Sequence, residues 1–192
     1  EWRWAYREVD RLGGHDPYSA SKACAELVTA AYRNSFFSAP AGPLVASARA
    51  GNVIGGGDWA EDRLLPDLMR ARAAGRPGLI RNPGSIRPWQ HVLDCLGGYL
   101  RLARHAWDRG PEAAGAWNFA PDPSDAQPVS WLADQVDQLW PGPAWVRSTG
   151  DAAAPHEATY LRLDHSKARQ LLGWQPGWAL PEALARTLER ST

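Results

Sequence analysis

The chain is predicted to adopt an α/β fold in which a helix and a buried parallel strand precede a smaller mixed domain. Three observations predict it. A capped helical pattern opens at Asp16-Pro17, the apolar run from Pro43 to Ala50 stops at Gly51-Asn52, and helical and strand-like segments alternate through the remainder. With 192 residues, 44% of them apolar, the chain can bury a core.

Pro17 suits a first helical position and Asp16 the cap before it, so a helix is expected from residue 17 to about 34, with Ala23, Leu27, Val28 and Ala31 on its apolar side. Pro43 to Ala50 reads as a buried strand of a parallel sheet whose carboxyl end opens to a ligand. Leu64 to Ala74 reads as a helix, and Gly75 to Pro88 as a turn-rich stretch carrying Arg76, Arg81 and Arg87. Further helices are expected at His91 to Trp107 and Val129 to Leu139, a strand at Gly115 to Ala120, and a short strand near Trp145. Two short helices, Ser166 to Leu172 and Pro181 to Glu189, close the chain.

Charge is balanced, 21 basic residues against 21 acidic, with no basic block, which argues against nucleic acid or an anionic membrane as partner. Cys24 and Cys95 fit neither a disulfide framework nor a metal-ligand spacing, pointing to a reducing cytoplasm, and both read as small core residues. Most of the eleven tryptophans are expected in core or pocket walls. No apolar run approaches the roughly 20 residues of a membrane span. The charged start Glu1-Trp2-Arg3-Trp4 is not a signal peptide and carries no initiator methionine, so the chain is expected to begin inside a longer one.

The chemistry is carried by Tyr18 and Lys22. Residues four apart share a helix face, so the Lys22 ammonium can favour ionisation of the Tyr18 phenol, and the positive end of the helix dipole acts in the same sense. A tyrosine so placed is the base a hydride-transfer enzyme uses on a hydroxyl group. An ordinary exposed pair on an amphipathic helix has the same spacing. Lys22 and Lys167 are the only lysines among 21 basic residues, and a compact ammonium is not replaced by a guanidinium. The Gly55-Gly56-Gly57 run does not give the G-x-G-x-x-G spacing of a dinucleotide fingerprint. Acidic residues follow it at Asp58, Glu61 and Asp62, so it reads as a connector between domains.

Several motifs in order resemble the extended short-chain dehydrogenase/reductases, and within them the CDP-glucose 4,6-dehydratases. They are Tyr18-Ser-Ala-Ser-Lys22, Cys24-Ala-Glu-Leu27, Arg49-Ala-Gly-Asn52 running on to Trp59, Ile80-Arg-Asn-Pro83 and Ile86-Arg-Pro-Trp-Gln-His-Val92. His156-Glu-Ala-Thr-Tyr160 with its continuation to Asp164, and Leu172-Gly-Trp174, are similar to that family's closing motifs. The resemblance implies the carboxyl-terminal part of an NAD-binding Rossmann-type sheet, residues 1–58, followed over residues 59–192 mainly by a smaller α/β domain that binds the nucleotide sugar.

It further implies bound, recycled NAD, CDP-glucose as substrate, and a homodimer paired through the Tyr18 helix, whose apolar stripe is equally consistent with an internal core. Tyr18 would be the base, Lys22 would lower its pKa and hold the nicotinamide ribose, and Ala50 would lie near the nicotinamide. Asn52 would donate to a phosphate oxygen, Arg63 and Leu64 would flank the nucleotide, Arg81 would line its pocket and Arg87 would contact the pyrophosphate. Arg70, Arg72 and Arg76 read instead as solvated surface. His156, Glu157 and Tyr160 would close the nucleotide end. One departure is the Ala152-Ala153-Ala154 run, where relatives often carry an arginine. Another is the family's Gly-rich loop and Thr-x-Asp-Lys type motif, expected upstream of Glu1, without which this chain alone is expected to lack the elimination chemistry. A nucleotide-sugar-binding remnant and an epimerase or decarboxylase of the same superfamily are the other readings.

Overall fold

The computed structural model describes residues 4–39, 42–149 and 158–189. Its first helix, α1 (Pro17–Phe36), begins where the sequence places it. Asp16 is extended, and its carboxylate accepts from the Ser19 amide at 2.8 Å and from Ser19 Oγ at 2.6 Å. Those bonds hold the Asp16 carboxyl below its usual range and satisfy donors that a helix start leaves open.

Strand β1 (Ala46–Ala50) follows, and Gly51 joins it to β2 (Asn52–Ile54). The two strands enter different sheets. β1 pairs in parallel with β5 (Gly115–Phe119), Ala46 opposite Gly115 and Ala50 opposite Phe119. β2 pairs in parallel with β4 (Ile86–His91), which pairs antiparallel with β6 (Ala126–Pro128) on its other side. A third, two-stranded sheet joins β3 (Leu79–Ile80) to β7 (Val146–Arg147). Helices α2 (Leu64–Ala73), α3 (Val92–Arg109), α4 (Val129–Leu139), α5 (Ser166–Leu172) and α6 (Leu180–Glu189) complete the described elements, with 3-10 turns at Gly110–Ala113 and Pro123–Asp125. Residues 115–119 thus return to the sheet of β1 after the chain has built β2 to β4.

Two cores hold these layers. Leu65, Leu68 and Met69 of α2, Leu132 and Val136 of α4, and Leu180 and Leu184 of α6 close over Ile54, Ile80 and Trp89. Leu102, Trp117, Phe119, Ala168 and Trp174 form the second, between α3, β5 and α5. The Trp174 indole donates to the Asp94 carbonyl at 3.1 Å, while the Asp94 carboxylate accepts from the Gly177 amide at 2.8 Å. The closing segment is thereby fastened to the first turn of α3. No helix among the described residues is long and apolar enough to cross a membrane.

Three expectations are corrected, and one alternative left open is narrowed. The stretch from Gly75 to Pro88 is not merely turns, for it contains β3 and half of β4. Proline normally avoids a central strand, but the ladder from β4 to β2 begins one residue later, at Asn52 opposite Trp89, so Pro88 withholds no bond from it. Cys24 is exposed rather than in the core, unlike buried Cys95. Arg72 is not solvated: it is 8% exposed and ion-paired with Asp137, whose other oxygen accepts from the Trp145 amide at 3.2 Å. On α1 only Ala23 is buried, and Leu27 and Val28 are 59% and 56% exposed, so the apolar side of the helix is not covered by the described core.

Candidate active site

The candidate site lies where the carboxyl end of β1 passes into β2. A cavity of about 610 Å³ opens there, and six of the residues singled out in the sequence line it: Tyr18, Asn52, Arg63, Leu64, Arg81 and Arg87. They come from α1, the start of β2, the start of α2, the segment after β3, and β4, so the fold gathers positions spread across 70 residues of chain.

Tyr18 stands in the first turn of α1, one residue after Pro17, with 70% of its surface exposed. The Lys22 ammonium lies one turn on, 5.4 Å from the Tyr18 ring centroid. The first turn of α1 carries no acidic residue, and the Asp16 carboxylate before it is bound to Ser19. Lys22 and Ala50 are not part of the cavity wall; Ala50 sits beside wall residue Gly51, and Lys22 meets the cavity through Tyr18.

The rest of the lining is mixed in charge, with Arg63, Arg81 and Arg87 beside Asp58, Asp62 and Asp67. Arg63 stands at the N-cap position of α2 without a side-chain cap bond, and the first residues of that helix, Leu64 to Asp67, line the cavity, so its positive end faces the space beside the Asp67 carboxylate. Arg87 is 6% exposed, and one of its guanidinium nitrogens donates to the Ile86 carbonyl at 2.9 Å. Arg63 is exposed and pairs with Asp58 at 3.5 Å. Met69, Trp89 and Val129 supply an apolar floor. A cavity lined by apolar side chains and by arginines can take a ligand with an anionic group, which would compete with the neighbouring carboxylates for those cations.

The sequence reading missed some of this wall. Gly55, from the run read as a connector, and Asp58 and Asp62, from the acidic stretch after it, line the cavity. Asp62 is the one described non-glycine residue with positive φ, at 59°. A strained backbone beside a cavity is a mark that no residue spacing displays. Tyr160, by contrast, is outside the wall: it forms an isolated bridge with Ile86, next to Arg87, and its ring lies 4.9 Å from the Arg162 guanidinium. His156 and Glu157 lie outside the described residues.

Behind the site, His91 ends β4 and caps α3, its Nδ1 accepting from the Leu93 amide at 3.1 Å and its ring meeting Trp178 edge-on at 4.7 Å. Burial lowers its pKa, against an opposing pull from Asp94. The neutral imidazole this favours is the form that can accept the cap bond.

With that geometry in view, the chain matches the NAD dependent epimerase/dehydratase family over residues 6–117. It belongs to this family. Across 98% of its length it is 50% identical to a CDP-glucose 4,6-dehydratase of Salmonella typhimurium, of which it covers 54%. The NAD complex of dTDP-glucose 4,6-dehydratase from Bacillus anthracis superposes with a TM-score of 0.78 at 18% identity, over 97% of this chain and 55% of that one. UDP-glucuronic acid 4-epimerase from Bacillus cereus, solved with UDP-glucuronic acid and NAD, gives 0.82 at 19% identity, over 99% and 57%. The chain therefore spans about half the length of these family members. The likeness bears out the expected Rossmann-type α/β class, and NAD is the cofactor that the family's description carries.

Proposed function

We propose that this member of the family forms the base-bearing and nucleotide-sugar-binding part of an NAD-dependent 4,6-dehydratase that converts CDP-glucose to CDP-4-keto-6-deoxyglucose and water. The observation that carries the reading is the convergence of Tyr18, Asn52, Arg63, Arg81 and Arg87 on one cavity. The 50% identity to a protein of that activity supports the choice of nucleotide.

The residues present fit one end of NAD. Tyr18 and Lys22 are both exposed on one face of α1, at the carboxyl end of a parallel sheet where such ligands are held. They would hold the nicotinamide ribose, with Ala50 beside the ring. When bound, NAD supplies a reversible acceptor for the hydride from C4 of the sugar. Tyr18 takes the proton of the C4 hydroxyl as the C4–H bond breaks, leaving a ketone. That ketone acidifies the C5 hydrogen, so the C5 proton and the C6 hydroxyl leave as water. A hydride delivered to C6 and a proton to C5 would then leave the sugar with no net oxidation.

Asn52, Arg81, Arg87 and the start of α2 orient the diphosphate, and Arg63 and Leu64 flank the nucleotide. Tyr160, next to Arg87, with His156 and Glu157, closes that end. Residues 1–58 serve mainly the dinucleotide and 59–192 mainly the sugar nucleotide, with β5 returned to the first sheet. Exposed Leu27, Val28, Tyr32 and Phe36 of α1 pair with a second copy. An epimerase of this family would share the base, and the product distinguishes the two.

The test is to incubate the intact protein with CDP-glucose and NAD and to follow the nucleotide sugar by mass spectrometry. Loss of one water is expected, and Tyr18→Phe is expected to abolish most of it while leaving CDP-glucose binding largely intact. An epimer of unchanged mass, or full turnover by Tyr18→Phe, overturns the assignment.

A further inference from the structure

Tyr18, Lys22 and Glu26 follow one another at intervals of four along α1, so phenol, ammonium and carboxylate stand in a row on one face. A carboxylate so placed can draw the ammonium down the helix, away from the phenol. In the structure Glu26 is turned elsewhere. Its Oε2 accepts from Arg49 at 2.7 Å and from Ser47 Oγ at 2.9 Å, both residues of β1. The Arg49 and Glu26 side chains are each 20% exposed. Lys22 makes no ion pair among the described residues and stays over the Tyr18 ring.

Arg49 is itself fixed. It donates to the Glu8 carbonyl at 3.5 Å, the Glu8 carboxylate accepts from the Asn118 amide at 2.8 Å, and Asn118 is the register partner of Arg49 across the sheet. Asn118 Nδ2 in turn donates to the Tyr6 carbonyl at 3.0 Å. Burial raises the Glu26 pKa, yet the bonds from Arg49 and Ser47 outweigh it and hold the carboxyl below its ordinary value. Glu26 is therefore an anion near neutral pH, able to attract whichever cation reaches it.

We propose that Arg49 is a positioning residue for the Tyr18–Lys22 pair, holding the Glu26 carboxylate against β1 so that it cannot capture the Lys22 ammonium. The proposal rests on the reading of that pair given above. Arg49→Gln leaves Glu26 only its Ser47 bond and the more distant pull of Arg33, so that it turns to Lys22 and takes the ammonium from the phenol. Removing both charges, in Glu26→Gln/Arg49→Gln, releases Lys22 again. A merely structural ion pair behaves otherwise, since its double variant is no better than the single.

Two readouts test this in the intact protein. With CDP-glucose, Arg49→Gln is expected to lower kcat about tenfold and to change KM by less than about twofold, while the double variant recovers most of the loss. Lysine carrying a labelled ε-carbon gives one NMR signal from each lysine, and Lys167, lodged 4.0 Å over the Trp117 ring, serves as reference. The Lys22 signal is expected to move in Arg49→Gln and to return in the double variant. If Arg49→Gln does not fold, as thermal unfolding reveals, Ser47→Ala removes the second bond to Oε2 and should move the Lys22 signal in the same sense. Equal impairment of single and double variants, or a Lys22 signal that never moves, overturns the proposal. Should the parent protein leave CDP-glucose unchanged, the proposed reaction falls, and the Lys22 signal alone decides this inference.

Discussion

Gly51 is the point at which the chain leaves one sheet for another, and the packing there is tight enough to predict what one methyl group does. A Cβ built on residue 51 stands 2.6 Å from both Cγ and the carbonyl oxygen of Pro88. One of those atoms is backbone and the other belongs to a closed ring, so neither can swing aside. Reaching the 3.4 Å at which ordinary contact begins requires the two segments to part by about 0.8 Å. Overpacking of this kind costs about 1–3 kcal/mol, and in a chain of this size each kcal/mol lowers the unfolding midpoint by roughly 2–4 °C. The displacement also separates Asn52 on β2 from Arg87 on β4. Misplacement near 1 Å can cost about a hundredfold in rate. Gly51→Ala is therefore expected to lose stability and, if the proposed reaction holds, kcat/KM for CDP-glucose in the intact protein, measured by thermal unfolding and steady-state kinetics. Gly84→Ala is the control, because a Cβ at residue 84 meets nothing within 4 Å. If Gly51→Ala matches the parent in both assays, the contact does not set the geometry of the site.

Two further outcomes follow from burial. Because burial lowers the His91 pKa from its ordinary 6.5, the unfolded chain binds a proton below that pH which the folded chain refuses. Folding stability contributed by this group is therefore lost as pH falls from 6.5 toward the folded value. His91→Asn keeps an acceptor for the Leu93 amide without titrating, so the drop in urea midpoint between about pH 7.5 and about pH 5.5 should shrink in this variant, and an unchanged drop contradicts the assignment. A thiol reagent should label Cys24 in folded protein whose α1 is not covered by a second copy, and Cys95 only on unfolding, since burial hides the Cys95 sulfur and raises its pKa. Rapid labelling of both would place Cys95 outside the core.

The parts that could be read from sequence are those governed by local rules. Asp16 and Pro17 fix the start of α1 through their own chemistry, and the spacing of Tyr18 and Lys22 needs no other part of the chain to put them on one face. The arrangement of Arg63, Arg81 and Arg87 around the cavity needed the ordered motifs, because no local pattern tells which guanidinium turns inward. Arg72 shows the difficulty: it looks like its exposed neighbours in sequence, and only its encounter with Asp137, 65 residues on, buries it. β4 was hidden for a similar reason. Pro88 argues against a strand until the register is known, and the register depends on where β2 begins. Cys24 and Leu27 look like core residues by type, and their exposure reflects what packs on α1, a long-range fact.

The residues of this chain carry no net charge, so under the proposed reading any attraction these residues exert on a diphosphate comes from how charge is distributed around the cavity. The arginines around it are unequal in this respect. Arg63 is exposed and already paired with Asp58, and nearby Arg70 is engaged by Asp67, so an entering phosphate must compete with carboxylates in water for these cations. Arg87 lies in the wall at 6% exposure, where the surroundings screen less and a charge acts more strongly at a given distance. The start of α2 adds a partial positive charge that cannot move away. Under the proposed reading, the buried Arg87 and the start of α2 would meet the diphosphate in the wall, with Asp67 beside them, while Arg63 and Asp58 would shape the exposed rim.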